Sequence, residues 1–288
     1  MNYYEHALEL ARRGRGKVAD HPLVGAVLVA DDEIVGEGWY EYDRVDHAET
    51  IALAQAGERA RGATLYVTLE PCAHHGRTPP CADAVIAAGV ARVVIGALDP
   101  NPKAAGGLER IRAAGIDVEL LRPLVTLKLA VTLDGRVTVP GRRWVTEEES
   151  RRRVHELRAA SDAVAVGMGT VRADDPQLDA RDVGATKQPR RIAFGHGETT
   201  LELRSGPLED ELRALAAEGV QSLLLEGGPT IAQSFLEAGL VDKLLLFVAP
   251  VIAGEGRHAF GNVEVELRGM SAERVGDDVL LSGYVQLA

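Results

Sequence analysis

Apolar and polar positions along the first 121 residues follow a rhythm of short buried strands and amphipathic helices. Residues 23–30 form a continuous apolar run, which is short enough for a buried strand. Residues 34–39 are predicted to pair with it through the turn Asp31-Asp32-Glu33. Helices are predicted over 2–13, 47–56, 82–88 and 107–114, and further strands over 63–68, 92–97 and 116–121. This alternation predicts a largely parallel sheet with helices on both faces.

Arg122-Pro123 interrupts the pattern, and a second α/β unit follows. A helix over 147–160 is predicted to begin at a capping box, with Thr146 as the cap and Glu149 three positions on. The other elements of this unit are strands over 124–131, 163–166, 190–194, 222–225, 243–248 and 279–286, and helices over 209–218 and 230–238. A chain of 288 residues has room for about two domains. We therefore predict an α/β protein with domains at 1–121 and 122–288.

The net charge of the chain makes some kinds of binding partner unfavourable. It carries 32 Lys and Arg against 43 Asp and Glu, a net charge of −11, which disfavours a nucleic-acid or anionic-membrane binder. No run of 18 apolar residues occurs, and the first residues lack the features of a signal peptide. We expect a cytoplasmic protein that acts on a small molecule. Because the cytoplasm is reducing, Cys72 and Cys81 are expected to bind metal or take part in redox chemistry rather than form a disulfide.

One imidazole and two thiols form a candidate metal centre. His47, Cys72 and Cys81 supply three ligands, which suits tetrahedral Zn²⁺ with water in the fourth position. The metal lowers the pKa of this water and so supplies hydroxide. Glu49 follows His47 by two residues in the first turn of a helix, where its carboxylate can pass the water's proton to a leaving amine without binding the metal. The order His-x-Glu, Pro-Cys and Cys is typical of zinc-dependent nucleobase deaminases.

A longer stretch narrows this hypothesis. Residues 70–81 are Glu-Pro-Cys-Ala-His-His-Gly-Arg-Thr-Pro-Pro-Cys, and Asp-Pro-Asn-Pro follows at 99–102. Eight residues separate the cysteines, whereas nucleobase deaminases usually have two between them. The stretch resembles the signature of the pyrimidine deaminase of the riboflavin pathway, which implies a cytidine-deaminase-like α/β/α domain. His74, His75 and Arg77, in the long loop, are candidates to hold a ribose phosphate.

The second half of the chain resembles the reductase of the same family. The matching stretches are Leu-Lys-Leu-Ala at 127–130, Leu-Asp-Gly-Arg at 133–136, Trp-Val-Thr at 144–146, Gly-Met-Gly-Thr at 167–170, Ala-Asp-Asp-Pro at 173–176 and Leu-Glu-Gly-Gly-Pro-Thr at 225–230. The chain thus resembles the bifunctional riboflavin-synthesis deaminase/reductases over most of its length. The resemblance implies a dihydrofolate-reductase-like α/β domain, NADPH as its cofactor, and a homodimer formed through this domain.

The resemblance also assigns residues to the reductase site. Those that match cofactor contacts are Ala130, Trp144, Thr170, Asp174, Gly228, Pro229, Thr230, Ile231, Ala232, Gln233 and Ser234. Those that match substrate contacts are Arg158, Leu178, Arg181 and Glu226. Physical reasoning supports part of this set. A Gly-Gly turn that opens a helix lets a pyrophosphate approach free N–H groups, and the two arginines suit a ribose phosphate.

The resemblance implies two consecutive reactions. Zinc-dependent hydrolysis removes an amino group from 2,5-diamino-6-ribosylamino-4(3H)-pyrimidinone 5′-phosphate, and NADPH then reduces the ribosyl chain to ribityl. The family pattern changes at His21, Tyr40, Arg142 and 194–196, and the segment between the domains is short. These departures leave an alternative, a paralogue with a weakened reductase that acts on a related pyrimidine or pteridine precursor. A third hypothesis, a binding partner with structural zinc, is disfavoured by Glu49, because a structural site needs no proton shuttle.

Overall fold

The computed structural model describes residues 2–14, 22–41, 46–76 and 78–286 of the chain. His21 and Arg77, two of the residues considered above, lie outside the described residues. The chain divides into two compact units, one of Met1–Pro123 with Leu212–Gln221 and the other of Leu124–Glu211 with Ser222–Ala288. The pattern of the sequence does not predict that 212–221 groups with the first unit.

The first unit contains a mixed five-stranded sheet. Its elements in chain order are α1 (Tyr3–Arg12), β1 (Gly25–Ala30), β2 (Glu33–Trp39), α2 (Ala48–Ala56), a 3₁₀ turn (Gly57–Ala60), β3 (Thr64–Val67), α3 (Cys81–Ala88), β4 (Arg92–Ile95), α4 (Gly107–Ala113) and β5 (Asp117–Leu120). The strand order is β2-β1-β3-β4-β5. Strand β1 runs antiparallel to both neighbours, and β3, β4 and β5 are parallel. The prediction of a largely parallel sheet is therefore wrong for the pairing of β1 with β3.

The antiparallel edge has a local cause. Asp31 and Asp32 both have positive φ angles, 51° and 59°, the conformation of a two-residue hairpin turn whose twist suits paired strands. So short a turn reverses the chain, and β1 and β2 therefore run antiparallel. After helix α2, strand β3 runs opposite to β1 and hence in the direction of β2.

Strand β1 shows how helices cover both faces of this sheet. Val27 and Val29 pack with Ala7 and Leu10 of α1 on one face. Leu28 belongs to the core on the opposite face, which includes residues of α2, α3 and α4. This two-residue alternation is the expected geometry of a strand buried on both sides, and it agrees with the prediction of helices on both faces.

Two glycines of β2 allow helix α2 to lie directly on the sheet. A Cβ atom at Gly36 would lie 2.1 Å from the carbonyl oxygen of Ala52, and one at Gly38 would lie 2.0 Å from that of Ala48. Only glycine leaves room for a helix backbone at this distance. The contact holds the first turn of α2, which begins immediately after His47, against the sheet.

The second unit is built on an eight-stranded mixed sheet. Its elements are β6 (Leu124–Thr132), α5 (Glu148–Ala159), β7 (Ala163–Gly167), α6 (Met168–Asp174), β8 (Arg190–Phe194), β9 (Glu202–Arg204), α7 (Leu208–Ala217, continuing into the first unit), β10 (Ser222–Leu225), α8 (Pro229–Glu237), β11 (Lys243–Ala249), β12 (Glu266–Val275) and β13 (Asp278–Gln286). The strand order is β12-β13-β11-β6-β10-β7-β8-β9, parallel from β11 to β9 and antiparallel at β13 and β12. Among the described residues, every helix is too short or too polar to cross a lipid bilayer.

The capping prediction for α5 is wrong. The N-cap residue is Glu147 rather than Thr146, and the cap does not involve Glu149. Instead, the carboxylate of the fully buried Asp278 accepts hydrogen bonds from the backbone N–H of Glu147, at 2.9 Å, and from the hydroxyl of Ser150, at 2.6 Å. Because Asp278 lies 131 positions from Glu147 in the sequence, a local capping pattern cannot reveal it.

Three elements, α6, β9 and β12, were not predicted from the sequence. Strands β9 and β12 form the two edges of the second sheet. Strand β12 is exposed at almost every position, so it lacks the alternation of apolar and polar residues on which a strand prediction depends. Helix α6 is short, and its start overlaps the glycine turn at 167–169.

Substitution of Gly38 by Ala is expected to destabilise the first unit by about 1–3 kcal/mol, the range typical of overpacked cores. The new methyl group would overlap the carbonyl oxygen of Ala48 and force α2 away from the sheet. Urea denaturation measures the change in unfolding free energy. The matched control is Gly169→Ala, because a Cβ there meets no heavy atom within 4 Å. Equal losses of stability in the two variants would contradict this explanation.

Candidate functional site

Three potential metal ligands come from three segments of the first unit. His47 is the N-cap residue of α2, and Cys81 is the first residue of α3. Cys72 lies in the loop after β3, and its sulfur accepts a hydrogen bond from the backbone N–H of Cys81, at 3.4 Å. Because the unpaired N–H groups at a helix start favour negative charge, the start of α3 suits a thiolate.

The three side chains converge on one point. His47 Nδ1 lies 3.2 Å from Cys81 Sγ and 3.6 Å from Cys72 Sγ. Zinc–nitrogen and zinc–sulfur bonds of ordinary length place the ligand atoms of a tetrahedral site roughly 3.5 Å apart, so this spacing fits zinc. In the part of the chain that the structure describes, the ligand atoms of these three residues all lie within 4.8 Å of one another. The structure thus brings together the three predicted ligands.

Hydrogen bonding and burial shift the two thiols in opposite directions. The pKa of Cys72 falls to about 4, chiefly because the Cys81 side chain donates a hydrogen bond to it, with a further contribution from His47. The same hydrogen bond, together with burial, raises the pKa of Cys81. A hydrogen bond with Cys72 also raises the pKa of His47. Hydrogen bonds from its neighbours thus favour the thiolate form of Cys72, the form that binds a divalent cation.

Glu49 lies beside these ligands in the first turn of α2. The residue is only 3% exposed, and burial raises its pKa to about 7, although the positive charge of His47 opposes this shift. The Cys81 side chain forms a hydrogen bond with the carboxyl group. A carboxyl group whose pKa lies near neutrality can both accept and donate a proton, which is the property required of a general acid–base.

Glu70 stabilises the loop that carries Cys72, a role that was not predicted from the sequence. Its buried carboxylate accepts hydrogen bonds from the backbone N–H groups of Asp99, Gly106 and Leu108, at 3.2, 3.0 and 2.9 Å. These bonds tie the loop that carries Cys72 to the segment 99–108. The position of Glu70 within the recognised stretch 70–81 was the only available signal for it.

The structure also places Tyr40, His74 and His75, three residues considered in the sequence analysis. Tyr40, which stands where the family usually has histidine, packs edge-to-face on the imidazole of His47, with ring centres 5.5 Å apart. His74 and His75 are exposed and do not belong to the ligand group. The departure at Tyr40 therefore contacts a metal ligand directly, and the two histidines remain candidates for substrate binding alone.

In the second unit, the two glycine turns expected to bind the cofactor lie side by side. The backbone N–H of Gly228, the N-cap residue of α8, donates to Thr170 Oγ1 of α6 at 3.2 Å. Ile231 of α8 fills the space beside Gly167 and Gly227. A Cβ atom would lie 3.0 Å from its side chain at Gly167 and 1.8 Å from it at Gly227. Packing between the turns therefore explains Gly167 and Gly227.

The starts of both helices fit a phosphate-bearing cofactor. Within the described residues, no side chain caps α6 or α8, which leaves first-turn N–H groups available. Gly169, in the first turn of α6, borders open space. An open cavity of about 540 Å³ adjoins the start of α8, where Pro229, Thr230 and Gln233 form part of its wall. These features suit the pyrophosphate of NADPH.

Other members of the expected cofactor set have different surroundings. Trp144 is 53% exposed, with two guanidinium groups near its ring. The side chain of Ala232 is fully buried and therefore packs in the core. Ala130 is partly buried against an apolar cluster, Asp174 is the last residue of α6, and Ser234 Oγ donates to the carbonyl oxygen of Thr230.

The expected substrate residues include a buried charge cluster. Arg158 of α5 forms two hydrogen bonds with Glu226, at 2.5 and 3.0 Å, and Lys128 Nζ of β6 lies 3.9 Å from the same carboxylate. Arg158 and Glu226, both members of the expected substrate set, thus form a pair with each other. Leu178 is buried in an apolar cluster at a positive φ of 54°. Arg181 is exposed and pairs with a neighbouring aspartate.

Lys128 is a candidate functional residue that was not predicted from the sequence. Burial lowers its pKa, although the charge of Glu226 opposes this shift. Burial alone would raise the pKa of Glu226, but the charges of Lys128 and Arg158 outweigh it, and the pKa is lowered. The available signal was a lysine inside the otherwise uncharged, largely buried strand β6, where a charge is costly unless it is paired.

Two family models match the chain. Residues 1–97 match the cytidine and deoxycytidylate deaminase zinc-binding region, and residues 123–281 match the RibD C-terminal domain. The riboflavin biosynthesis protein RibD of Aquifex aeolicus is 38% identical, with 97% of each chain covered. The protein of the same name from Escherichia coli is 39% identical, with 88% of each chain covered.

Solved structures show the same relationship. RibD of Acinetobacter baumannii is 33% identical, covers 99% of this chain and 98% of its own, and superposes with a TM-score of 0.61. A Thermotoga maritima protein described as a diaminohydroxyphosphoribosylaminopyrimidine deaminase/5-amino-6-(5-phosphoribosylamino)uracil reductase is 32% identical, covers 98% of this chain and 97% of its own, and has a TM-score of 0.57. An N-terminal cytidine-deaminase-like domain and a C-terminal reductase domain, both mixed α/β, are thereby confirmed.

Glu49→Gln is expected to stabilise the metal-free protein at pH 8.5 but not at pH 4.5. The pKa of Glu49 is about 7 in the folded state and 4.5 as a reference, so the folded state binds more protons between these values. Stability therefore falls as the pH rises from 4.5 to 7, by about 3 kcal/mol in all, and glutamine removes this loss.

Urea denaturation of chelator-treated protein at the two pH values measures the difference. The matched control is Glu58→Gln, since Glu58 is exposed in the same unit. A stabilisation by Glu49→Gln that is equal at both pH values would show that ionisation of this carboxyl group is not its cause.

Proposed function

The chain belongs to the RibD family of riboflavin biosynthesis proteins, and on this premise we propose which of its residues carry each reaction. It is a bifunctional enzyme with a zinc-dependent deaminase domain and an NADPH-dependent reductase domain. The comparisons give no support to the paralogue with a different substrate, nor to a binding partner that only stores structural zinc.

Residues 1–121 are the deaminase domain in this proposal, and residues 122–288 are the reductase domain. The family matches at 1–97 and 123–281 support this division. The substrate is the phosphorylated diaminopyrimidine that the description of the Thermotoga maritima relative indicates, 2,5-diamino-6-ribosylamino-4(3H)-pyrimidinone 5′-phosphate. Deamination replaces one ring amino group by a carbonyl oxygen and releases ammonia.

The convergence of His47, Cys72 and Cys81 beside Glu49 is the observation that carries the deaminase assignment. When zinc is bound by these three side chains, it lowers the pKa of a water molecule toward neutrality. Glu49 accepts the proton of the attacking water and donates a proton to the departing amine. Its buried position gives it a pKa of about 7, which suits both halves of this transfer.

In the reductase domain, the N–H groups at the starts of α6 and α8 hold the cofactor, together with Thr170, Thr230 and the other residues of the expected set. NADPH supplies the hydride that reduces C1′ of the ribose. The ribose ring oxygen must gain a proton as its bond to C1′ breaks, and we assign this proton to Lys128, which is buried beside Glu226. Arg158 and Glu226, which form an ion pair, contact the substrate in this proposal.

Arg181 is the cation of the expected substrate set that lies at the surface, and we assign it to the substrate phosphate. Leu178 keeps the adjacent segment in place through its buried side chain. We further propose a homodimer formed through the reductase domain and a cytoplasmic location. The family resemblance supports the first, and two free thiols that act as metal ligands are consistent with a reducing compartment.

Glu49→Gln is expected to lower the rate of ammonia release by about 10²–10⁴-fold, the usual contribution of a general acid–base, while one zinc ion per chain remains bound. Ammonia release from the diaminopyrimidine substrate and zinc content are measured on the same sample. Glu58→Gln serves again as the control and should retain the parent rate. Deamination by Glu49→Gln at the parent rate would remove the assigned role.

A further inference from the structure

An open cavity of about 540 Å³ beside helix α8 includes a wall to which neither the sequence nor the family resemblance assigned a role. One side is formed by α8 itself. The residues that line the cavity are Pro229, Thr230, Gln233, Gly256, Arg257, His258, Phe260, Gly261 and Asn262. The second wall is thus the segment 256–262, which lies between β11 and β12.

Hydrogen bonds with the segment 136–138 hold this second wall in place. The carbonyl oxygen of Arg257 accepts from the N–H of Val137 at 2.9 Å, and the N–H of Arg257 donates to Thr138 Oγ1 at 3.4 Å. Arg136 Nη1 donates to the carbonyl oxygen of Gly256 at 2.8 Å. The backbone of Arg257 is therefore held on both sides, and its side chain has a defined origin at the edge of the cavity.

The guanidinium group of Arg257 lies at the start of α8. Its Nη2 donates to the hydroxyl of Thr230, the second residue of the helix, at 3.3 Å. Within the part of the chain that the structure describes, Arg257 has no carboxylate partner, whereas Arg158 and Arg181 both form ion pairs. An uncompensated positive charge thus adjoins the N–H groups of an uncapped helix, in a chain whose net charge is −11.

We propose that Arg257 binds the pyrophosphate of NADPH. This inference rests on the proposed function, in which the start of α8 holds the cofactor. The helix start attracts negative charge and offers N–H donors, and a guanidinium group can donate two parallel hydrogen bonds to phosphate oxygens. The bond to Thr230 orients Arg257 toward this place. Arg257 is then a cofactor-binding residue in addition to the expected set.

Isothermal titration of the zinc-loaded full chain with NADPH and with NADH tests the proposal. Arg257→Ala is expected to weaken the binding of both dinucleotides about tenfold, and Arg257→Lys to recover part of the affinity. The loss should shrink at high ionic strength, because salt screens the lost charge. The matched control is Arg268→Ala, which removes the same charge from the exposed strand β12 and should bind as the parent does.

The outcomes separate this inference from the function on which it rests. Absence of NADPH binding by the parent chain would refute the reductase assignment itself. Parent-like binding by Arg257→Ala would overturn the inference alone, and so would an equal loss in Arg268→Ala. A loss with NADPH but not with NADH would place Arg257 on the 2′-phosphate and overturn the pyrophosphate assignment. Circular-dichroism spectra and urea denaturation curves that match those of the parent show that each variant is folded, and Arg257→Gln replaces Arg257→Ala if the latter does not fold.

Discussion

The meeting of one imidazole and two sulfur atoms at a single buried point is the constraint on which the first unit depends. The three donors come from the start of α2, the loop after β3 and the start of α3. They meet because α2 lies directly on β2, at Gly36 and Gly38, and because Glu70 holds the loop that carries Cys72. A buried thiolate close to a buried carboxyl group is costly unless a cation compensates for it, so the site itself favours a divalent metal.

Burial of the metal centre also provides a group that can exchange protons, which a deaminase requires. It raises the pKa of Glu49 to about 7, so that a side chain within reach of the metal centre can exchange protons near neutral pH. Metal binding and proton transfer therefore follow from one arrangement rather than from two separate features. In the proposed reductase site the arrangement differs: two helix starts meet at glycine turns, and Lys128 and Arg158 share the carboxylate of Glu226 in a buried cluster.

Local signals predicted much of this arrangement. The spacing of His47, Glu49, Cys72 and Cys81 gave the metal centre, because ligands at helix starts and in adjacent loops leave a pattern in the sequence. The rhythm of apolar segments gave most helices and strands, and the two-residue turn at Asp31 and Asp32 was recognised as a connection. The order of apolar segments does not indicate in which direction two strands pair, so the antiparallel pairing of β1 with β3 was not predicted.

Contacts between residues far apart in the sequence account for other features that were not predicted. Asp278 caps α5 from the far end of the chain, and Glu226 pairs with Arg158, another residue of the expected substrate set. Lys128 was not assigned a role from the sequence, because its partner Glu226 lies in a distant part of the chain. The exposed edge strand β12 has too few buried positions to show a pattern. The cap of α5 and the cluster of Lys128, Arg158 and Glu226 each depend on a partner that only the folded chain brings close.

The most direct test of the central claim is the zinc content of the purified full chain, measured by mass spectrometry of the metal after removal of loosely bound ions. Three converging ligands predict one zinc ion per chain, and they predict its loss in Cys72→Ser and in Cys81→Ser. A parent chain that contains no zinc and takes up none on addition of the ion would contradict the account. So would a double variant, with both cysteines replaced by serine, that retains the metal.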